Sequence, residues 1–163
     1  MIIRPAEPSD EAQLVELIAQ FRVTLARFRD RVRQPDPDAA SSELASYQNP
    51  RYRMFVAEID ADELVGYLVC RVEEDVVWAE SLFVTPEHRR QGIGTALYQE
   101  AEALAEAVGS ETVYNWVHPN NDRIIRFLQR RGYTVLNLIE LRARRDGEAA
   151  ERRVRVGAFT YDY

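Results

Sequence analysis

The chain has 163 residues, 46% of them hydrophobic, and a formal net charge of −6. That length sets the prior at one domain and suffices to bury most of the apolar surface. The acidic balance argues against general nucleic-acid binding, which rests on basic surface. No stretch approaches the roughly 18 apolar residues of a membrane span.

Cys70 is the one cysteine. No internal disulfide is possible, and a reducing cytoplasm is the simple expectation. Within its apolar run Cys70 reads as a buried small hydrophobe. Charge and proline arrive too soon after Met1 for a signal peptide. All 21 basic side chains are arginine.

In chain order, Ile2-Ile3-Arg4 reads as a short strand ended by Pro5. Ser9, Asp10 and Glu11 supply cap candidates and first-turn acids. Leu14, Leu17, Ile18, Phe21, Leu25 and Phe28 then keep helical spacing. This helix and its continuation carry Arg22, Arg27, Arg29, Arg31 and Arg33, read as a solvated face paired with acids, with an acidic acceptor or partner as the alternative. Gln34-Pro35-Asp36-Pro37-Asp38 breaks it, and a second short helix follows over 39–47. Residues 53–59, 64–72 and 76–84 alternate as strands joined by short acidic turns, which predicts an antiparallel meander.

Ile93, Ala96, Leu97, Ala101, Leu104, Ala105 and Val108 form an apolar helical stripe stopped by Gly109. A strand is expected over 112–117. Asn120 or Asn121 then caps a helix running to Arg131 and ended by Gly132. Residues 133–142 and 153–161 are expected as strands flanking a polar loop around Asp146-Gly147.

The densest information lies in Leu82-Phe83-Val84-Thr85-Pro86-Glu87-His88-Arg89-Arg90-Gln91-Gly92-Ile93-Gly94-Thr95-Ala96-Leu97. An apolar strand ends, a basic loop with two glycines follows, and a helix begins. Glycines let backbone N–H groups approach a ligand, and a helix N-terminus favours an anion there. This predicts a phosphate or pyrophosphate site. A P-loop would need a lysine, and the chain has none. A dinucleotide fingerprint would need a third glycine where Leu97 stands.

Arg89-x-x-Gly92-x-Gly94, with Leu82-Phe83-Val84 and Pro86-Glu87 before it and an Ala-Leu helix after it, resembles the GNAT family of acetyl-CoA-dependent N-acetyltransferases. Asn121-Asp122-Arg123-Ile124-Ile125-Arg126-Phe127-Leu128-Gln129-Arg130-Arg131-Gly132-Tyr133 is similar to the family's second signature, and the element order is also similar. The resemblance implies an α/β (α+β) fold: a mixed, mostly antiparallel twisted sheet of about seven strands, flanked by about four helices and splayed after strand four. It implies that residues 1–163 form a single domain.

The resemblance further implies acetyl-CoA as cosubstrate, with no metal. The pyrophosphate would rest on Arg89, Arg90, Gln91, Gly92, Ile93, Gly94 and Thr95, and the pantetheine would lie along Leu82, Phe83 and Val84. Asn121 would contact the cofactor or order the site, and it also suits a helix N-cap. The implied partner is a small-molecule amine or a peptide amine. The first two helices and the loop from Arg145 to Arg152 would shape its pocket.

An alkyl ammonium carries no lone pair at neutral pH, so such an enzyme must remove a proton. Glu80 is the candidate base, a role worth about 10²–10⁴ in rate. Regular alternation would put Glu80 and Leu82 on one face, opposite Ser81 and Phe83. The backbone N–H of Phe83 is the expected donor to the developing oxyanion.

Many family members place a tyrosine after the aromatic of the second signature, where Leu128 stands here. Tyr98, Tyr114, Tyr133 and His118 are the available substitutes, and His88 is expected in solvent. Two histidines and one cysteine, far apart, show no metal-ligand spacing.

Two alternatives stay open: acetylation of a protein amine, and a catalytically weak acyl-CoA sensor. The chain has no lysine side chain of its own to acetylate. A homodimer paired through an edge strand at Val154–Phe159 is a further expectation.

Overall fold

A meander of three long strands dominates the computed structural model, which describes residues 1–150 and 152–162. Strand β1 spans Ile2–Pro5, β2 Tyr52–Ile59, β3 Glu63–Glu73, β4 Val76–Val84 and β5 Val113–Asn115. They form one sheet in the order β1-β2-β3-β4-β5. The first three pairings are antiparallel and β4–β5 is parallel.

Four α-helices are present: α1 Glu11–Arg27, α2 Pro37–Ser46, α3 Ile93–Val108 and α4 Asp122–Arg130. The fold is therefore mixed α/β with a mostly antiparallel sheet. Among the described residues no helix is long and apolar enough to cross a membrane.

The two faces of β3 separate two packing layers. Tyr67 and Val69 join Leu14, Leu17, Ile18, Ala40, Leu44, Val56 and Phe83 in a buried cluster under α1 and α2. On the other face, Gly66 lies against α3: a Cβ there would meet the Phe83 carbonyl at 2.7 Å and Leu97 at 3.3 Å. Leu97, Tyr98, Ala101 and Ala105 form the buried stripe of α3. Gly109, at φ 80, closes that helix in the left-handed region glycine tolerates.

By contacts the chain separates into two compact units, 1–126 and 127–163. In the second, β6 Arg153–Val156 and β7 Phe159–Asp162 pair as an antiparallel hairpin, a separate two-stranded sheet. The expected single strand over 153–161 is thus two strands. Gly157, at φ 60, turns the chain between the paired Val156 and Phe159. A continuous edge at Val154–Phe159 does not exist in this form.

Residues 133–142 are not a strand either, and Val135, Leu136, Leu138 and Leu141 are exposed. Strand propensity records fit against neighbouring strands, and β6 takes β7 as its partner. The expected seven strands are present as five and two.

The arginine-rich stretch is also redistributed. Helix α1 ends at Arg27, so Arg29, Arg31 and Arg33 lie beyond it and do not extend its face. Arg22 forms a salt bridge with Glu43 of α2.

Candidate active site

Strands β4 and β5 share only three ladder pairs, Val77–Val113, Trp78–Tyr114 and Ala79–Asn115. Beyond Ala79 the edge of β4 that faced β5 is open, so the sheet parts at that point. Glu80 is the first residue past the pairing on β4, and Trp116 the first past it on β5.

Glu80 also marks an irregularity in the β3–β4 ladder. Val69 opposes Ser81, while Cys70 opposes Ala79, which leaves Glu80 as the extra residue of a β-bulge. The bulge breaks the regular alternation expected for this strand. Cross-strand partners share a face: Phe83 and Ser81 lie with Tyr67 and Val69, and Trp78 lies with Arg71. Arg71 Nε donates to Glu80 Oε1. The carboxylate thus sits with Arg71 and Trp78, not with Leu82 as regular alternation predicted. Its other oxygen, Oε2, carries no hydrogen bond from the described residues, and the side chain is 23% exposed.

Which backbone amides face the open edge follows from the ladder. Thr85 N–H donates to Val65 carbonyl at 2.9 Å. Hydrogen-bonded pairs alternate along an antiparallel ladder, so the N–H of Phe83 turns toward β3. Those of Leu82 and Val84 turn to the edge β5 has left. Val84's carbonyl confirms the direction, since it accepts from Arg89 Nε at 2.8 Å. The Phe83 N–H, expected as the oxyanion donor, thus turns to β3 instead, and the outward amides are those of Leu82 and Val84.

The glycine loop follows. A 3-10 turn at Pro86–His88 leads to Arg89, and Arg90 (φ 65) and Gly92 (φ 85) are both left-handed. Gly92 is the N-cap of α3, where no side chain caps the helix and the first turn holds no acid. The first helical bond is Ala96 N–H to Gly92 carbonyl at 3.0 Å. The N–H groups of Ile93, Gly94 and Thr95 therefore precede any helical acceptor.

Ile93 is buried at 3% exposure, so only its backbone is offered. A Cβ on Gly94 would make one ordinary contact, 3.9 Å from Val84. Arg90, Gln91 and Thr95 are exposed.

Arg89 stacks on Phe83, its guanidinium carbon 5.6 Å from the ring centre. No carboxylate among the described residues forms an ion pair with it. Burial, and then the charge of Arg123, pull its pKa below the usual arginine value, against Glu87. Arg89 and the uncapped N-terminus of α3 thus both leave positive charge at this loop.

The remaining candidates have structural partners. Asn121 Oδ1 accepts from Ile124 N–H at 3.3 Å and caps α4. Leu128 is buried. Tyr98 is buried and its hydroxyl donates to Asn115 Oδ1 at 2.9 Å. Tyr114 packs on Trp78. His118 stacks on Phe28 and accepts from the N–H of Asn120. His88 Nδ1 and the Thr85 hydroxyl share a hydrogen bond of 2.9 Å. Cys70 is buried, and burial pushes its thiol up to about 12.

The sheet thus parts between β4 and β5 beside a helix N-terminus led by Gly92. The sequence matches the acetyltransferase (GNAT) family over residues 18–133, and the chain belongs to that family. It is 30% identical over 103 residues to a peptidyl-lysine N-acetyltransferase of Salmonella typhimurium, covering 63% of this chain and 65% of that protein. It is 32% identical over 102 residues to an N-alpha-acetyltransferase of Sulfurisphaera tokodaii, covering 52% and 58% respectively. The chain thus spans less than two thirds of the length of these relatives. Its fold matches the structure of AAC(6')-Iy in complex with a CoA bisubstrate analogue, with TM-score 0.69, 19% identity and coverage of 88% and 97%.

Proposed function

We propose that the chain is an N-acetyltransferase that moves an acetyl group from acetyl-CoA to a primary amine held in the same complex. Acetyl-CoA supplies the activated acyl thioester. The site suits it: Gly92 and Gly94 leave the loop uncrowded, and Arg89, Arg90 and the N–H groups of Ile93, Gly94 and Thr95 offer charge and donors to a pyrophosphate. The open edge of β4, at Leu82 and Val84, offers amides to an extended chain lying along it. Asn121 caps α4, whose Arg123 is near enough for its charge to act on Arg89.

Glu80 is the base in this reading. One carboxylate oxygen is held by Arg71 and the other is free to take a proton from the acceptor ammonium. Leu82's N–H then meets the negative charge that grows on the acyl oxygen. No dedicated acid is assigned. A thiolate is a good enough leaving group to depart without one, thiols being acidic groups (about 8.5 for cysteine). The observation that carries the proposal is the position of Glu80, one residue past the last β4–β5 pair and two residues before the first outward amide.

Relatives named for peptidyl-lysine and N-alpha acetylation make a peptide amine the leading acceptor class, ahead of a free small amine. The second reading is an acyl-CoA-binding sensor with little turnover. It is favoured by the buried Leu128, which stands where many family members have a tyrosine. Release of free CoA across a panel of a polyamine, an aminoglycoside, a peptide α-amine and a peptidyl-lysine separates the two. Turnover with at least one amine, lost in Glu80→Gln, supports the transferase. Tight acetyl-CoA binding with no release supports the sensor.

A further inference from the structure

Strands β3 and β4 and the segment after β5 meet where the sheet opens, and one side chain joins them. Arg71 lies on β3 opposite Trp78 of β4. Its guanidinium carbon is 5.4 Å from the Trp78 ring centre and 5.6 Å from that of Trp116. The two indoles are themselves 5.0 Å apart. In the plane of the guanidinium, Nε donates to Glu80 and Nη1 pairs with Glu73.

The Arg71 side chain is only 12% exposed. Burial lowers its pKa, but the hydrogen bonds it donates to Glu80 and Glu73 outweigh that and hold it above the usual arginine value. Two indoles this close together cover the guanidinium from the same side, while Glu80 and Glu73 take up its donor edge.

We infer that Arg71 is a positioning residue that acts through Glu80, backed by the Trp78–Trp116 pair and by Glu73 so that one carboxylate oxygen is fixed and the other is presented to the acceptor. The inference rests on Glu80 being the base. Glu80 needs such a tether because it is the unpaired residue of a bulge, where the ladder does not dictate side-chain direction. Arginine suits the place because its flat fork hydrogen-bonds in plane while it packs against the indole pair; lysine offers only a point charge. Trp116, the first residue past the last β4–β5 pair, bridges the mouth of the gap through the same guanidinium.

The test is a double-mutant cycle on the full chain, with the amine panel above as acceptor and free CoA as readout. Arg71→Ala should lower kcat about 10- to 100-fold, part of the roughly 10²–10⁴ that a general base supplies. The KM for acetyl-CoA should not move. Arg71→Lys should recover part of the loss. In a Glu80→Gln background, Arg71→Ala should cost nothing further, since coupled residues are non-additive.

If Arg71→Ala fails to fold, Trp116→Leu carries the same cycle, with a smaller loss that again vanishes in Glu80→Gln. An Arg71 or Trp116 effect that persists undiminished in Glu80→Gln overturns the positioning role and leaves the base assignment standing. An Arg71→Ala chain as active as wild type does the same. A Glu80→Gln chain of wild-type activity overturns the base assignment and the positioning role together. A wild-type chain that releases CoA with none of the amines overturns the transferase reading on which both rest.

Discussion

The apex of the opened sheet and the glycine loop follow one another along the chain, yet they are built from different materials. The loop works through backbone: two left-handed residues, three N–H groups ahead of the first helical bond, and arginines that need only be near. The apex works through side chains. Glu80, Arg71, Trp78 and Trp116 come from β4, β3 and the segment after β5, and each depends on the others for its place. The difference teaches where change is tolerated. A backbone site answers to glycine and φ, whereas a side-chain site answers to single functional groups.

The largest effect should come from the apex. Glu80→Gln is nearly isosteric and should lower kcat about 10²–10⁴-fold, while isothermal calorimetry shows acetyl-CoA affinity unchanged. Equal losses of turnover and affinity would erase the proposed division between the two regions.

The loop should show the opposite split. Gly92 sits at φ 85 with nothing near a hypothetical Cβ, so conformation is the constraint there and not space. Gly92→Val should cost about 1–2 kcal/mol of backbone strain, read as roughly tenfold weaker acetyl-CoA binding. kcat at saturating cosubstrate should be retained.

A smaller effect is expected away from both regions. Asp10 is buried at 4% exposure and accepts from Arg4 at 2.8 and 2.9 Å. The Arg4 hydrogen bonds hold its carboxyl below the ordinary value, with the Glu7 N–H assisting and burial opposing. A depressed folded-state pKa gives stability that is complete above the unfolded value near 3.9 and is lost as pH falls through the folded one. Asp10→Asn should therefore cost about 1.5 kcal/mol in chemical denaturation at pH 7. The difference from wild type should shrink below about pH 4, with CoA affinity unaffected throughout.

The smallest effect is a null one. Cys70, fully buried with a thiol pushed up to about 12, should resist a thiol-specific probe in the native chain and react on unfolding. Rapid native labelling would show that β3 opens locally.

The backbone region was the readable one because it is contiguous: strand end, arginines, glycines and helix stripe follow one another between 82 and 108. Most of the elements were legible for the same reason, since hydrophobic period and helix stops are local signals. The apex was only half readable. Glu80 stood out as an acid before Leu82-Phe83-Val84, but its bulge is a property of pairing with β3, so regular alternation put it on the wrong face. The same dependence on register moved the outward amide from Phe83 to Leu82. Arg71 and Trp116 carried no motif, and only the fold brings them to Glu80. In the tail, Val135 to Leu141 has strand-like residues and no strand, because propensity does not supply a partner. Gly157 split the last expected strand into a hairpin for a local reason that its left-handed φ makes plain.

The central claim is that Glu80 removes the acceptor proton while the glycine loop independently holds acetyl-CoA. Parallel measurement of acetyl-CoA affinity and of CoA release with the best amine, in wild type and Glu80→Gln, tests it most directly. The account requires equal affinities and a loss of release of at least about 10²-fold. Equal release by the two proteins would contradict it.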